Sequence, residues 1–476
     1  MIVIGFGVET KVAKREGIFK KRRSLVMKKK VVAIMLSAFT VLSMMGCGGG
    51  AAAPAGDTET VAEEPAPAAE EASAEKEAPQ SIGKSVEGEL SVTIWDEGQR
   101  PGLQEIIDDW SAQSGVKATI QVVDWNDYWT LLEAGATGGE LPDVFWMHSN
   151  VAQKYMENDL LLDLTDKIAA SDKIDMANYY DGIVKLYQSD GKQYAVPKDI
   201  DTIALWYNKT IFDEMGVPYP DDTWTWEDFA ANAKKLTNDD HWGYAIAPGN
   251  NQEGYYNTIY SMGGYVISED KKTSGMDDPN SIKAVKLFTD MIADGSCPDL
   301  ATVSETAPNE LLCAGKVAMS INGSWMLAGY RDNEYAAANC DVAVLPYTST
   351  PADRVSIYNG LGWAAAANGK NTDAAWSLIE YLGSKEAQIK QAELGVTMSA
   401  YMGTSDAWVN SVPAFDLNGH MKMLDAKLVF RPYSRDTTVW EDMMIEKLQD
   451  AWTGEKPVED VCKDIAAEMN ADLAEE

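Results

Sequence analysis

The sequence has few of the residues that metal sites and nucleophilic catalysis use. Its 476 residues include five cysteines and three histidines. His148, His241 and His420 form no HExxH motif or close pair, so no metal site and no His-based triad is predicted. No GxSxG, Walker or GxGxxG motif follows a strand pattern, so no cofactor is predicted. Four widely spaced cysteines leave a disulfide and buried free thiols equally open: Cys297, Cys313, Cys340 and Cys462.

Basic residues are scarce. There are 40 Lys and Arg against 74 Asp and Glu, and the formal net charge is −34. This balance excludes a nucleic-acid partner, because binding nucleic acid needs a basic footprint. It suits a secreted protein with a soluble surface, and the length allows two or three ordinary domains.

The longest apolar run, residues 31–45, is too short for a comfortable membrane span. It follows the basic stretch that begins at Met27 and precedes Gly46-Cys47, which predicts a secretory signal over residues 27–46. The pair resembles the lipobox of bacterial lipoproteins, in which the cysteine is acylated and becomes the new N-terminus. That resemblance implies lipidation at Cys47 and a place on the extracellular face of the bacterial membrane, the periplasmic side in a Gram-negative cell. Residues 1–26 are interpreted as an over-long gene start.

Aromatic residues are absent from residues 48–88, which consist largely of Ala, Pro, Glu and Gly. Such a segment cannot bury enough apolar surface to fold, and its like charges extend it. Residues 47–88 are therefore predicted to be a lipidated cysteine followed by a disordered linker.

Regular patterns begin near Leu90. The segments LSVTIW, KATIQVVDW and PDVFWM predict three strands. Between them, Leu103, Ile106, Ile107 and Trp110 recur at helical spacing, and a short helix is predicted from Tyr128 to Ala134. This order predicts a parallel α/β sheet. Ligands of such sheets bind beyond the carboxyl ends of the strands, which here carry Trp95-Asp96-Glu97, Trp125-Asn126 and His148-Ser149-Asn150.

The segment YAVPKDIDTIALWYNK, residues 194–209, reads as one buried strand with two acids on one face, Asp199 and Asp201. Four interpretations are weighed: the carboxyl pair of a glycosidase, ligands of a structural cation, acceptors for ligand hydroxyls, and acceptors for neighbouring backbone N–H groups. Glycosidase acids usually come from different strands, which favours a ligand. Asp201 is the better candidate for the ligand, while Asp199 is a candidate for holding backbone.

Four stretches, in order, resemble one family: AGATGGELPDVFWM, YAVPKDIDTIALWYNKTIFDEMGVPYPDDTWTWEDF, AGKVAMSINGSW and GLGWAAAANGKNTDAAWSLIEYLGSKEAQ. They are similar to the extracellular solute-binding proteins of bacterial ABC importers, carbohydrate branch, the maltose-binding-protein relatives of family 1. The resemblance implies an α/β fold of the periplasmic-binding-protein-like type II, with two lobes, a hinge and a ligand cleft. Lobe 1 would be residues 89–200 plus 348–398, and lobe 2 residues 201–347 plus 399–476.

The resemblance further implies a monomer without catalytic activity. It would capture a mono- or oligosaccharide by lobe closure and deliver it to an ABC permease. A secreted glycosidase-like enzyme and the same transport role with a non-sugar solute are the alternatives. Trp325 and Trp440 fall where the family places stacking rings, and Asp201 falls where an acid accepts sugar hydroxyls. The ligand-binding residues nominated are Trp95, Glu97, Trp125, Trp146, Ser149, Asn150, Asp199, Asp201, Glu253, Tyr255, Tyr256, Trp325, Gly360, Trp363, Arg431, Tyr433 and Trp440.

Overall fold

The computed structural model describes residues 89–476. The predicted over-long start, signal segment, lipidated Cys47 and linker lie outside these residues. Within residues 89–476, no helix combines the length and apolar character that a membrane crossing requires.

The described chain alternates short strands with helices, and three short 3₁₀ turns lie at Met176–Asn178, Ser324–Met326 and Pro351–Asp353. The strands are β1 (Glu89–Ile94), β2 (Lys117–Val122), β3 (Val144–Met147), β4 (Gln188–Ser189), β5 (Lys192–Gln193), β6 (Ala195–Pro197), β7 (Ile203–Asn208), β8 (Met319–Gly323), β9 (Cys340–Ala343), β10 (Val355–Tyr358), β11 (Gly362–Ala365) and β12 (Lys427–Phe430). The helices are α1 (Arg100–Ser114), α2 (Trp125–Gly138), α3 (Ser149–Glu157), α4 (Thr165–Ala169), α5 (Asp181–Leu186), α6 (Lys209–Met215), α7 (Trp226–Lys235), α8 (Tyr256–Ser261), α9 (Pro279–Ala293), α10 (Leu300–Glu305), α11 (Pro308–Cys313), α12 (Leu327–Asp332), α13 (Glu334–Asn339), α14 (Thr372–Gly383), α15 (Lys385–Glu393), α16 (Ser405–Val409), α17 (Asn418–Leu424), α18 (Thr437–Trp452) and α19 (Val458–Leu473).

The first sheet has the strand order β2-β1-β3-β11-β6. The three predicted strands are present, and β1 pairs in parallel with both β2 and β3. The apolar stripe of α1 is buried as its spacing predicts, with all four apolar side chains at most 1% exposed. The sheet is mixed rather than all parallel, because β11 joins it antiparallel to β3 and to β6.

Helix α2 is longer than the sequence pattern indicates. It begins at Trp125, inside the segment predicted as a strand, because the Asp124 side chain accepts a hydrogen bond from the Asn126 N–H and caps the helix. It passes the predicted stop at Gly135 and ends before Gly139, which has a φ of 73° and suits a left-handed C-cap. Trp125 is therefore a helical residue.

The second sheet is antiparallel, with the order β8-β7-β9. Its strand β7 is buried along its whole length. Thr225 and Asp228 have the sequence spacing of a capping box, and they form one at the start of α7. After β8 the chain turns through Ser324–Met326 into α12.

Residues 194–209 do not form one strand. Strand β6 ends at Pro197 and β7 begins at Ile203, and the residues between them cross from the first sheet to the second. Two other crossings, near residues 359–361 and 397–400, run beside this one. The backbone N–H groups of Lys198, Ile200 and Asp201 donate to Leu361 O at 2.8 Å, Met398 O at 3.2 Å and Asn359 O at 3.0 Å. These inter-crossing hydrogen bonds replace strand pairing, so Asp199 and Asp201 do not share a strand face.

The predicted lobe boundaries stay a prediction. The first sheet is drawn from the segments assigned to lobe 1, and the second from lobe 2. Strand β10, within the segment 348–398 of lobe 1, pairs in parallel with β12 of lobe 2.

Candidate functional site

A cavity of about 700 Å³ lies against the three crossings. This volume falls within the roughly 300–1,000 Å³ that small-molecule sites occupy. The cavity is lined by strand ends of the first sheet, by the loop of residues 249–252, by Trp325 after β8, and by one face each of α2, α3 and α18.

Asp199 is held by two protein groups. Its Oδ1 accepts the Leu361 N–H at 2.7 Å, and its Oδ2 accepts Nζ of Lys198 at 2.7 Å. Lys198 is fully buried, donates also to Gln99 Oε1 at 2.9 Å, and lies 4.4 Å from the centroid of the Trp146 ring. The Leu361–Asp199 hydrogen bond thus fixes two neighbouring crossings to each other, and Lys198 connects the first of them to Gln99.

Asp201 is satisfied on one side only. Its Oδ1 accepts the Asn359 N–H at 2.9 Å and the Gln252 Nε2–H at 2.8 Å. Its Oδ2 has no hydrogen-bond partner within residues 89–476, although Asp201 lines the cavity. Burial, with the nearby Asp199 charge, raises the pKa of Asp201 to about 8. At neutral pH this carboxyl therefore retains its proton and presents one oxygen to the cavity.

Arg431 and Glu441 form a buried ion pair at one side of the cavity, with Nη2 2.9 Å from Oε1. Asn150, at the start of α3, donates to Glu441 Oε2 at 3.1 Å and accepts from Arg431. The hydroxyl of Tyr256 donates to Glu441 Oε1 at 3.0 Å. The network connects the first-sheet side of the cavity to α18, and every charge in it has a partner.

His148 lies between this network and the crossings and contacts both. Burial, followed by the Arg431 charge, holds the pKa of His148 well below its usual range, so the ring is neutral. Its Nδ1 accepts the Asn150 N–H at 3.2 Å, and its Nε2 lies 2.9 Å from the side-chain amide of Asn359. Because Nδ1 of the neutral ring accepts, Nε2 carries the proton, and the Asn359 side-chain amide is oriented with its oxygen accepting that N–H.

Aromatic rings form the wall farthest from the crossings along the first sheet. Trp95 makes edge contacts with Trp125 at 5.0 Å and with Trp146 at 4.8 Å between ring centroids. Trp129, one turn after Trp125, lies 5.3 Å from it. Such edge-to-face contacts hold the rings in fixed orientations.

Trp325 faces the cavity from the second sheet. Its ring lies over Gly323, where a Cβ atom would come within 2.1 Å of the indole, so only glycine allows this placement. Glu253 fixes the same turn by accepting the Gly323 N–H at 2.8 Å, and burial raises the pKa of Glu253 to about 7. The end of β8 thereby presents an indole as a flat apolar surface.

The structure brings seven of the nominated residues together around the cavity: Trp95, Trp125, Asn150, Asp199, Asp201, Trp325 and Arg431. The other ten lie behind or beside its lining, and most are buried: Glu97, Trp146, Ser149, Glu253, Tyr255, Tyr256, Gly360, Trp363, Tyr433 and Trp440. Glu97 is exposed and pairs with Arg100 at 2.9 Å. Trp440 is fully buried and donates to Ser434 Oγ at 2.8 Å, so it packs in the core in this conformation. Ligand binding by these residues remains a prediction.

Sequence reasoning did not nominate several lining residues: Gln99, Trp129, Asn359, Glu441 and Asp442. Trp129 carried a usable signal, because it lies four residues after Trp125 and would share its face of a helix. Asn359 and Glu441 carried none, because their positions depend on contacts between distant segments. No group of His, Cys, Asp or Glu within residues 89–476 is arranged to hold a metal ion, and the four described cysteines are free thiols.

Three chain crossings join the part of the chain that contains the first sheet to the part that contains the second, and a cavity lies against these crossings. This arrangement defines a two-lobed ligand-binding protein. The sequence profile of the bacterial extracellular solute-binding protein family matches residues 96–389. The chain therefore belongs to this family, whose members are non-catalytic transport receptors, so the glycosidase alternative is wrong.

Individual relatives support this assignment. A protein of Brucella abortus named as a binding protein is 23% identical over 404 residues, which cover 81% of this chain and 93% of the relative. A maltooligosaccharide ABC transporter solute-binding lipoprotein of Streptococcus pneumoniae is 24% identical over 326 residues, 65% of this chain and 71% of the relative. The ABC substrate-binding protein from Listeria monocytogenes, solved in complex with cycloalternan, matches with a TM-score of 0.75 at 23% identity, covering 81% of this chain and 99% of that one. The predicted fold, periplasmic-binding-protein-like type II, is confirmed.

Proposed function

We propose that this protein captures a carbohydrate in the cavity and delivers it to the permease of an ABC importer. The observation that carries the proposal is the placement of a half-satisfied carboxyl, Asp201, in the same cavity as the indoles of Trp95 and Trp325. A sugar ring has apolar C–H faces and a polar rim, so it needs flat apolar surfaces beside hydrogen-bonding groups.

The named ligands of two relatives support the carbohydrate class. The Streptococcus pneumoniae relative is named for maltooligosaccharides, and the Listeria monocytogenes protein holds cycloalternan. Both are built from sugar units, which agrees with the chemistry of the lining.

Capture works by closure of the two lobes about the crossings. A ligand that contacts both walls stabilises the closed state and shifts the population toward it. The lobes take the boundaries given by the sequence, residues 89–200 plus 348–398 and residues 201–347 plus 399–476. The permease then binds the closed form of the receptor, which is a monomer.

The protein is further proposed to be anchored to the extracellular face of the bacterial membrane by a lipid on Cys47. The basic and apolar segments before Gly46-Cys47 support this anchor, and the Streptococcus pneumoniae relative is named a lipoprotein. Mass spectrometry of the N-terminal peptide from the membrane-bound protein tests it. An acylated peptide that begins at Cys47 is expected, whereas an unmodified Cys47 inside a longer peptide would contradict the anchor.

A thermal-shift screen across mono- and oligosaccharides tests the ligand class, because a ligand that binds only the folded state raises the melting temperature. Amino acids, peptides and polyamines serve as non-sugar comparisons. We expect a saccharide to give a saturable shift. A shift with a non-sugar solute alone would support the other ligand class and contradict the proposal.

Titration calorimetry of the saccharide found in the screen then tests the site. Trp325→Ala should weaken binding by about 1–3 kcal/mol, since it removes an aromatic surface at the ligand. Trp376→Ala is a matched control, because Trp376 is half-buried on α14 and outside the cavity lining. Equal affinity for wild type and Trp325→Ala would show that the ligand binds elsewhere.

A further inference from the structure

The cavity extends across the whole width of the first sheet. Going outward from the crossings, its lining takes Asp199 after β6, Leu361 before β11, His148 after β3, Asp96 after β1 and Trp125 after β2. Five strands are separated by four spacings of about 4.8 Å, so the lined edge is about 19 Å wide. That is several times the width of one pyranose ring.

The character of the lining changes along this width. At the crossings it is polar, with the carboxyls of Asp199 and Asp201 and the side-chain amide of Gln252. At the β2 edge it is aromatic, with Trp125 and Trp129 in edge contact. The polar end suits a sugar ring whose rim hydroxyls form hydrogen bonds. The aromatic end suits a sugar ring whose apolar face stacks on an indole.

Two helix faces continue the cavity beyond the strand ends. On α2 the lining residues Trp125, Trp129 and Glu133 recur every four residues, which places them along about 12 Å of one helix face at 1.5 Å per residue. On α18 the lining residues Thr438, Asp442 and Ile445 also share one face. The outer part of the cavity is thus an elongated groove rather than a single pocket.

The indole of Trp125 is held by neighbouring rings but is still open to solvent. The residue is 38% exposed, although its contacts with Trp95 and Trp129 hold the ring in place. An indole that is both oriented and open to solvent is available for stacking.

We infer that the ligand is an oligosaccharide longer than a disaccharide, and that Trp125 and Trp129 form an outer subsite for its units farthest from Asp201. This inference rests on the proposed function, because it specifies the chain length of a carbohydrate bound at that site. The inner unit is held at Asp201, and each further unit is added toward the β2 edge.

Calorimetry with two homologous series, glucose to maltotetraose and galactose to galactotetraose, tests the subsite. For the series that binds, wild-type affinity should rise by about tenfold or more between the disaccharide and the tetrasaccharide, as expected of a stacked aromatic contact. Trp125→Ala should abolish that rise, lowering the tetrasaccharide affinity far more than the disaccharide affinity. Trp125→Phe keeps a ring and should retain part of the rise. Leu131→Ala, an exposed apolar residue on α2 outside the lining, should change neither affinity.

Three results would overturn the inference. The monosaccharide could bind as tightly as the tetrasaccharide, or Trp125→Ala could weaken all chain lengths equally while its melting temperature matches wild type. In both cases a sugar still binds, so the proposed function stands. Absence of binding by every member of both series would overturn the inference, and the wider saccharide screen then decides the proposed function separately. If Trp125→Ala fails to fold, the affinities of Trp125→Phe for the disaccharide and the tetrasaccharide are compared with those of wild type instead.

Discussion

The side-chain amide of Asn150 donates a hydrogen bond of 3.1 Å to Glu441, a residue 291 positions later in the chain. Asn150 lies in the first turn of α3 beside the first sheet, and Glu441 lies on α18. The contact therefore joins the two sides of the cavity at a point where Glu441 is also paired with Arg431. Its consequence for stability follows from the burial of both charges.

Arg431→Ala should lower the free energy of unfolding by about 3–5 kcal/mol, because it leaves the Glu441 carboxylate buried without its cation. Urea denaturation measures the change. The double variant Arg431→Met with Glu441→Gln removes both charges and should be more stable than Arg431→Ala alone. A double variant less stable than Arg431→Ala would show that the ion pair itself, rather than the stranded charge, carries the stability.

Asp201 and Asp199 lie two residues apart, but their substitution by alanine should change different properties, ligand affinity for Asp201 and stability for Asp199. Asp201→Ala should weaken saccharide binding by about 1–3 kcal/mol, the cost of losing a hydrogen bond to a buried ligand group. Asp199→Ala should instead lower the free energy of unfolding by about 3–5 kcal/mol, because Lys198 is fully buried and loses its carboxylate. Calorimetry and denaturant unfolding on both variants separate the effects, and the reverse assignment would contradict the division of roles.

The pKa of Asp201 makes the stability of the ligand-free protein depend on pH. The folded protein holds this proton up to about pH 8, whereas the ordinary Asp value is 3.8. Between these values the unfolded chain binds fewer protons, so the Asp201 contribution is complete below pH 3.8 and is lost as pH rises through about 8. The slope contributed is about 1.4 kcal/mol per pH unit.

Denaturant unfolding of wild type and Asp201→Asn from pH 5 to pH 9 measures this contribution. The stability of wild type relative to the variant should fall with rising pH and level off above about pH 8. Glu253, whose pKa is raised to about 7, acts in the same direction and is retained in the variant. A difference that is flat across this range would show that Asp201 is already ionised in the folded protein.

Gly360→Ala should destabilise the crossings. An added Cβ would lie 2.3 Å from the Asp199 carbonyl oxygen and 2.9 Å from Ile183, so backbone would have to move. We expect a loss of about 1–3 kcal/mol in the free energy of unfolding, as in other overpacked sites. Gly138→Ala is the control, since its Cβ would meet nothing within 4 Å and alanine favours a helix. Equal melting temperatures for the two variants would contradict the close packing at Gly360.

Sequence patterns could predict the elements that depend on near neighbours. The apolar spacing of α1, the capping box of Thr225 and Asp228, and the strand that ends at Gly323 are all present. Helix α2 could not be bounded in the same way, because the segment before Trp125 also has strand character and only the Asp124 cap decides where the helix starts.

By itself, the sequence determined the family, the alternation of strands and helices, and the acids and rings that serve as candidates for binding. Tertiary structure alone decided that Asp199 holds backbone and Lys198 while Asp201 keeps an oxygen for the cavity. It also decided that Asn359 and Glu441 reach the site. The physical reason is range: periodicity and capping act within a few residues, whereas the three crossings exchange hydrogen bonds between segments that lie far apart in the chain.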